Sequence, residues 1–145
     1  MIIKIFNWFF KREEIELTYL KSDQIKESLP KINYKSLNHG KHYIVDADYK
    51  SCTLTQFRKI LEKDFTNWKL YTKDYDCDNF AFKLNQNIKD KYPMLAVGIV
   101  FSTSHAFNVF VDKYGKAWFI EPQNDKIFSF AQLDKKYKPI IFIII

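Results

Sequence analysis

The stretch from residue 94 to residue 121 limits the possible folds more than any other part of this chain. Residues 94–101 form a continuous apolar run, and residues 105–112 and 116–121 alternate in polarity on either side of Asp112-Lys-Tyr-Gly-Lys116. An apolar run of that length reads as a buried strand, and the two alternating segments read as a hairpin. The Asp-x-x-Gly turn favours a three-residue loop, residues 113–115, with Gly115 left-handed and Asp112 paired with Lys116. Phe107 then lies opposite Glu121, and His105 opposite Gln123. In that register His105 and Glu121 share a sheet face one diagonal step apart. A two-residue loop would instead send them to opposite faces.

Upstream of this sheet the spacing is helical. Residues 13–29 mix charged and apolar positions and stop at Ser28-Leu29-Pro30, as a helix does before a proline. Residues 31–52 are polar and Tyr-rich, with a turn at Asn38-His39-Gly40 and a short strand over 42–47. Thr53 opens a second helix with Leu54, Phe57, Ile60 and Leu61 on one face. Residues 64–75 form an aromatic connection holding Phe65, Trp68, Tyr71 and Tyr75. Asp76 is placed to cap a further helix whose core face is Phe80, Ala81, Leu84 and Ile88. Residues 140–145, after Pro139, read as one more strand. Helices followed by an antiparallel sheet give an α+β class.

Composition narrows the setting. The chain has 145 residues, 47% of them hydrophobic, with three Gly and four Pro, which suits one domain over 1–145 with its own core and no linker. The net charge of +6 rests almost wholly on Lys, with Arg only at 12 and 58. Nucleic-acid readers rely on Arg for bidentate and stacking contacts, so a solvated Lys-rich surface is expected and no nucleic-acid partner. Two cysteines, Cys52 and Cys77, are too few for a disulfide framework, which implies a reducing, cytoplasmic setting. Residues 1–12 form an amphipathic extension in which Ile2, Ile5, Phe6 and Phe9 make one stripe. It is too short to span a bilayer, and its Lys11-Arg12 follow the apolar part, the reverse of a secretory signal. No transmembrane segment is expected.

One constellation carries chemistry. Cys77 follows the helix cap at Asp76, where the helix dipole favours the thiolate, the form that attacks carbonyls. His105 opens the first hairpin strand as a candidate base, and Glu121 closes the second as the acid that would orient it. Gln123, directly opposite His105, competes with Glu121 for that role. Asp76 and Asp78 flank the thiol with negative charge, which opposes thiolate formation unless a cation is held nearby.

Three strings, Tyr75-Asp-Cys-Asp-Asn-Phe-Ala81, Ser104-His-Ala-Phe-Asn-Val109 and Trp118-Phe-Ile-Glu-Pro-Gln123, occur in that order. Over roughly residues 66–145 they resemble the papain-like domain at the C-terminus of certain fungal chimeric lectins, the fairy-ring mushroom agglutinin type, and related stand-alone bacterial and phage proteins. The resemblance implies a papain-like fold, with N-terminal helices, one carrying Cys77, packed on an antiparallel sheet. It implies a cysteine peptidase with Cys77 as nucleophile, His105 as general base and Glu121 as orienting acid, acting on a protein or peptide substrate. Calcium is the cofactor it implies, with Asp78 as a metal ligand. For a phage-encoded member the setting would be the host cytoplasm. Two alternatives stand beside the peptidase: a catalytically silent binding or inhibitor module of the same fold, and a peptidoglycan amidase or transglutaminase-like acyltransferase using the same residues.

Overall fold

The computed structural model describes residues 14–32 and 41–145. In chain order the elements are β1 (Thr18–Lys21), α1 (Ser22–Ser28), β2 (Lys41–Tyr43), β3 (Asp48–Ser51), α2 (Leu54–Leu61), α3 (Cys77–Lys91), β4 (Val97–Ser102), β5 (Ala106–Val111), β6 (Ala117–Glu121), β7 (Lys126–Phe128) and β8 (Ile140–Ile144). Short 3-10 turns at Thr66–Trp68, Phe130–Gln132 and Lys135–Tyr137 fill the connections.

The hairpin folds as its turn demands. Gly115 is left-handed at φ 75°, and the Asp112 side chain accepts the backbone N–H groups of Tyr114 and Lys116 at 2.9 and 3.0 Å. Its other oxygen takes the Trp118 indole N–H at 2.8 Å. The resulting β5–β6 register pairs Asn108 with Ile120 and Val111 with Ala117, as the three-residue loop requires. Helix starts also follow local rules. Thr53 Oγ1 accepts the Gln56 N–H while Gln56 Oε1 accepts the Thr53 N–H, at 3.1 and 3.0 Å, a reciprocal cap for α2. At α3 the Asn79 side chain reaches back to the Asp76 N–H at 3.0 Å.

Six strands form one sheet in the order β2-β8-β4-β5-β6-β7, and β1 and β3 form a separate antiparallel pair. Layers cover both faces of the large sheet. On one face Phe57, Ile60 and Leu61 of α2 and Leu84 and Ile88 of α3 pack on Val97, Phe110 and Ile120, with the Phe57 and Phe110 rings stacked 4.0 Å apart. On the other, Ile25, Leu29, Leu133 and Tyr137 pack on Val100, Phe107, Phe119 and Ile143. Strand β5 is therefore buried at every position, which explains why the middle of the sheet reads as a near-continuous apolar stretch.

Several expectations change. Residues 13–29 do not form one helix: β1 takes Thr18–Lys21, and only Ser22–Ser28 is helical. The strand expected over 42–47 shrinks to Lys41–Tyr43, and it pairs with β8 in parallel, so the sheet is mixed rather than antiparallel. The apolar run at 94–101 begins as a turn, with Leu95 N–H bonded to the Tyr92 carbonyl at 3.0 Å. The stripe in residues 1–12 and the turn at Asn38-His39-Gly40 lie outside the described residues. No described helix is long and apolar enough to cross a membrane.

Gly98 lies where β4 and β8 meet most closely. A Cβ there would collide with the Ile144 carbonyl oxygen and with Ile145, the latter a buried core residue. Gly98→Ala should therefore cost about 3 kcal/mol, whereas Gly115→Ala, strained only by its φ, should cost about 1 kcal/mol. Urea midpoints of the two variants test this. The reverse order would show that β8 does not approach β4 this closely.

Candidate functional site

Two of the sequence-predicted residues do meet. His105 Nε2 and Glu121 Oε2 are 2.8 Å apart, with exposures of 6% and 2%. The same carboxylate oxygen accepts Lys136 Nζ at 2.9 Å and the Tyr137 hydroxyl at 2.8 Å. Burial alone would raise the Glu121 pKa. The hydrogen bonds from His105 and Lys136, the charge of His105 and the Tyr137 hydroxyl outweigh it and hold the pKa at about 2. Tyr137 is pushed upward in turn, by burial first and then by the carboxylate it donates to. Its ring stands edge-on to both His105 and Phe107. Gln123 sits past the end of β6, its backbone N–H 3.5 Å from Glu121 Oε1. Of the two competitors, Glu121 holds the imidazole.

Cys77 stands outside this hydrogen-bonded set. It is the first residue of α3, partly exposed, and it packs with Phe101 against Ala81, Ile99 and Ala106. That cluster belongs to the helical face of the sheet. His105, just before β5, packs beside Phe107 and Tyr137, and no hydrogen bond joins Cys77 to it. Beside Cys77, a hydrogen bond between the Asp76 and Asp78 carboxyls raises the Asp76 pKa. No group of three or more His, Cys, Asp or Glu side chains stands ready for a metal among the described residues. Calcium takes six to eight oxygens, and this carboxylate pair by itself does not fit it. Cys52, fully buried, has its thiol pushed up to about 12 by burial and by the charge of Asp112.

A second surface stands out only once the chain is folded. The connection after α2 turns tightly because Asp64, itself buried, accepts the Thr66 N–H and the Asn87 side-chain N–H, each at 2.8 Å. The turn pushes aromatic residues outward. Trp68 is 76% exposed, its ring tilted against Phe65 at 4.6 Å, with Leu70 and Tyr71 also exposed beside it. Next to this shelf lies a cleft of about 400 Å³ lined by Asp64, Phe65, Thr66, Asn87 and Asp90 and by four lysines, Lys63, Lys69, Lys83 and Lys91. Asn67 ties the turn to Asp125 at 2.7 Å. The sequence showed the aromatic richness of residues 64–75 but not that Trp68 faces outward.

Comparison with known proteins gives one family and two similar folds. The family described as "Ricin-type beta-trefoil lectin C-terminal domain" matches residues 13–142. Among solved structures, "PSL1a-E64 complex" is similar with a TM-score of 0.70 and 22% identity, over 88% of this chain and 51% of that one. A crystal structure of Polyporus squamosus lectin bound to the human-type influenza-binding epitope Neu5Aca2-6Galb1-4GlcNAc is similar with a TM-score of 0.59 and 21% identity, over 72% of this chain and 42% of that one. This chain thus spans about half the length of the structures it matches. No curated protein matches. These findings correct the papain-like fold assignment and, with it, the cysteine peptidase, its enzymatic activity and its peptide substrate: the matching family is a lectin family, and one of the similar structures is a lectin.

The two perturbed acids give opposite pH signatures. Glu121 falls from an ordinary 4.5 to about 2, so its stabilisation is complete above about pH 4.5 and is lost as pH falls towards 2. Asp125 rises from 3.8 to about 6, through burial first and then the charge of Asp64. Its ionisation therefore opposes folding increasingly as pH rises from about 4 to 6. Glu121→Gln should destabilise by about 3 kcal/mol at pH 7 and progressively less towards pH 2. Asp125→Asn, tolerable at the left-handed φ of 55°, should raise Tm at pH 7 and leave it unchanged near pH 3.5. Melting curves across pH check both, and parallel curves for variant and parent would refute the assignment.

Proposed function

The chain belongs to the ricin-type beta-trefoil lectin C-terminal domain family, and on that premise we propose that it is a carbohydrate-binding module without catalytic turnover. The observation that carries the proposal is the exposed Phe65–Trp68 shelf beside the lysine-rimmed cleft. A sugar ring has an apolar C–H face that lies flat on an aromatic ring, and a rim of hydroxyls that needs fixed polar partners. Trp68 supplies the first. Thr66 and the Asn87 amide, both held by Asp64, supply the second without loss of side-chain freedom on binding. Four lysines against two aspartates around the cleft favour a glycan carrying a carboxylate, such as a sialylated one. The similar Polyporus squamosus lectin is described with such an epitope bound.

Titration calorimetry with Neu5Aca2-6Galb1-4GlcNAc and with its desialylated form tests this proposal. The sialylated glycan should bind more tightly, and the preference should shrink as salt rises. Trp68→Ala should weaken both at least about tenfold, or about 1.4 kcal/mol. If neither glycan binds, or if Trp68→Ala binds like the parent, the shelf is not a sugar site.

A second ligand position is proposed at Cys77, because a similar structure is a complex with E64 and Cys77 is the more accessible of the two thiols. Intact-mass measurement after native incubation with E64 or iodoacetamide should show one added group. It should map to Cys77 and be absent from Cys77→Ala, while Cys52 stays unmodified until the protein unfolds. Modification of Cys52 first would remove the proposal.

A further inference from the structure

A pocket of about 660 Å³ opens on the opposite side of the sheet from α3, where the chain leaving α1 meets the segment before β8. Its floor is apolar: Leu133 and Ile140 are buried core residues, and Ile32 and Phe130 complete it. Its volume falls within the roughly 300–1,000 Å³ of small-molecule sites. The rim is cationic, with Lys31, Lys135 and Lys138 around it. The Lys138 ammonium is held 4.5 Å over the face of the Phe130 ring, which brings a positive charge to the edge of the apolar floor. One carboxylate, Asp134, also lines the pocket, but it accepts the Lys136 N–H at 2.8 Å and caps the Lys135–Tyr137 turn. Among the described residues no carboxylate forms an ion pair with any of the three rim lysines.

We propose that this pocket binds a small amphipathic carboxylate, namely a free fatty acid of medium chain length. The alkyl chain lies along Leu133, Ile140 and Phe130, where it leaves water. The carboxylate takes charge-assisted hydrogen bonds from Lys135 and Lys138 at the rim. A compact anion such as phosphate would leave the floor unused, and a neutral hydrocarbon would leave the lysines unused. The site is separate from the Trp68 shelf and from Cys77, and its occupancy does not depend on either being a ligand site.

Calorimetry on the full chain with decanoate, held below its micelle concentration, tests the proposal alongside decanol and anionic phospholipid vesicles. Decanoate should bind with one-to-one stoichiometry, and decanol at least tenfold more weakly. The surface variant Lys135→Ala/Lys138→Ala, which touches no core packing, should lose at least tenfold for decanoate and little for decanol. Trp68→Ala should bind decanoate like the parent. The absence of decanoate binding overturns the proposal, as does equal affinity for decanol or an unaffected double variant. Binding to vesicles but not to free decanoate overturns it as well, because it would assign the lysines to a membrane surface.

Discussion

The Asp112 side chain sets the phase of the whole sheet. By taking the N–H groups of Tyr114 and Lys116 and the Trp118 indole, it closes a loop that only a left-handed Gly115 permits. That closure fixes the β5–β6 register, and the register decides which side chains face which layer. Phe107, Phe119, His105 and Glu121 go to one face, and Asn108, Phe110 and Ile120 to the other. A slip of one residue would send the β6 set to the other face, placing the Glu121 carboxylate under the helices.

Around that phase the centre of the sheet is pinned by backbone contacts that no single segment announces. Strand β8 runs between β4 and β2, and Gly98 lets it come close. Tyr49, fully buried, donates its hydroxyl to the Ile145 carbonyl at 2.7 Å and accepts the Val45 and Asp46 N–H groups. On the helical face the Asn108 amide donates to the Ala81 and Gly98 carbonyls at 2.9 and 3.1 Å, which fixes the first turns of α3 against the sheet. The position of Cys77 follows from that anchor.

What the sequence revealed was local. Caps at Thr53 and Asp76, the hairpin turn and its register, and the core faces of α2 and α3 follow from residue chemistry within a few positions. Strands β3 and β7 carry Asp48, Lys50 and Lys126 at edges, so their alternation is weak. The parallel β2–β8 contact joins segments about a hundred residues apart, which no local pattern encodes. The three-residue site was legible only in part, for a similar reason. The register correctly placed His105 and Glu121 on one face, but nothing in the sequence said which face α3 would cover. The papain-like resemblance supplied that missing step by setting the thiol beside the imidazole, an arrangement that the hairpin register does not itself contain. The outward turn of Trp68 was equally hidden, because it depends on Asp64 meeting Asn87 from a different helix.

The His105–Glu121 pair acts as a strut in the fold. A carboxylate at 2% exposure is tolerable only with several donors, and here two of the three come from Lys136 and Tyr137, in the segment that precedes β8. Their bonds draw that segment across the apolar face, so Tyr137 roofs Phe107 and Leu133 reaches the core. The same short stretch carries Lys135 and Lys138 out to the rim of the adjoining pocket. One buried charge thus orders a wall that apolar contacts alone would leave loosely placed, since Ala131, Gln132, Asp134, Lys135 and Pro139 in it are exposed. A neutral amide at position 121 would offer one uncharged oxygen to the three donors and would present an N–H where the carboxylate presents its second acceptor oxygen.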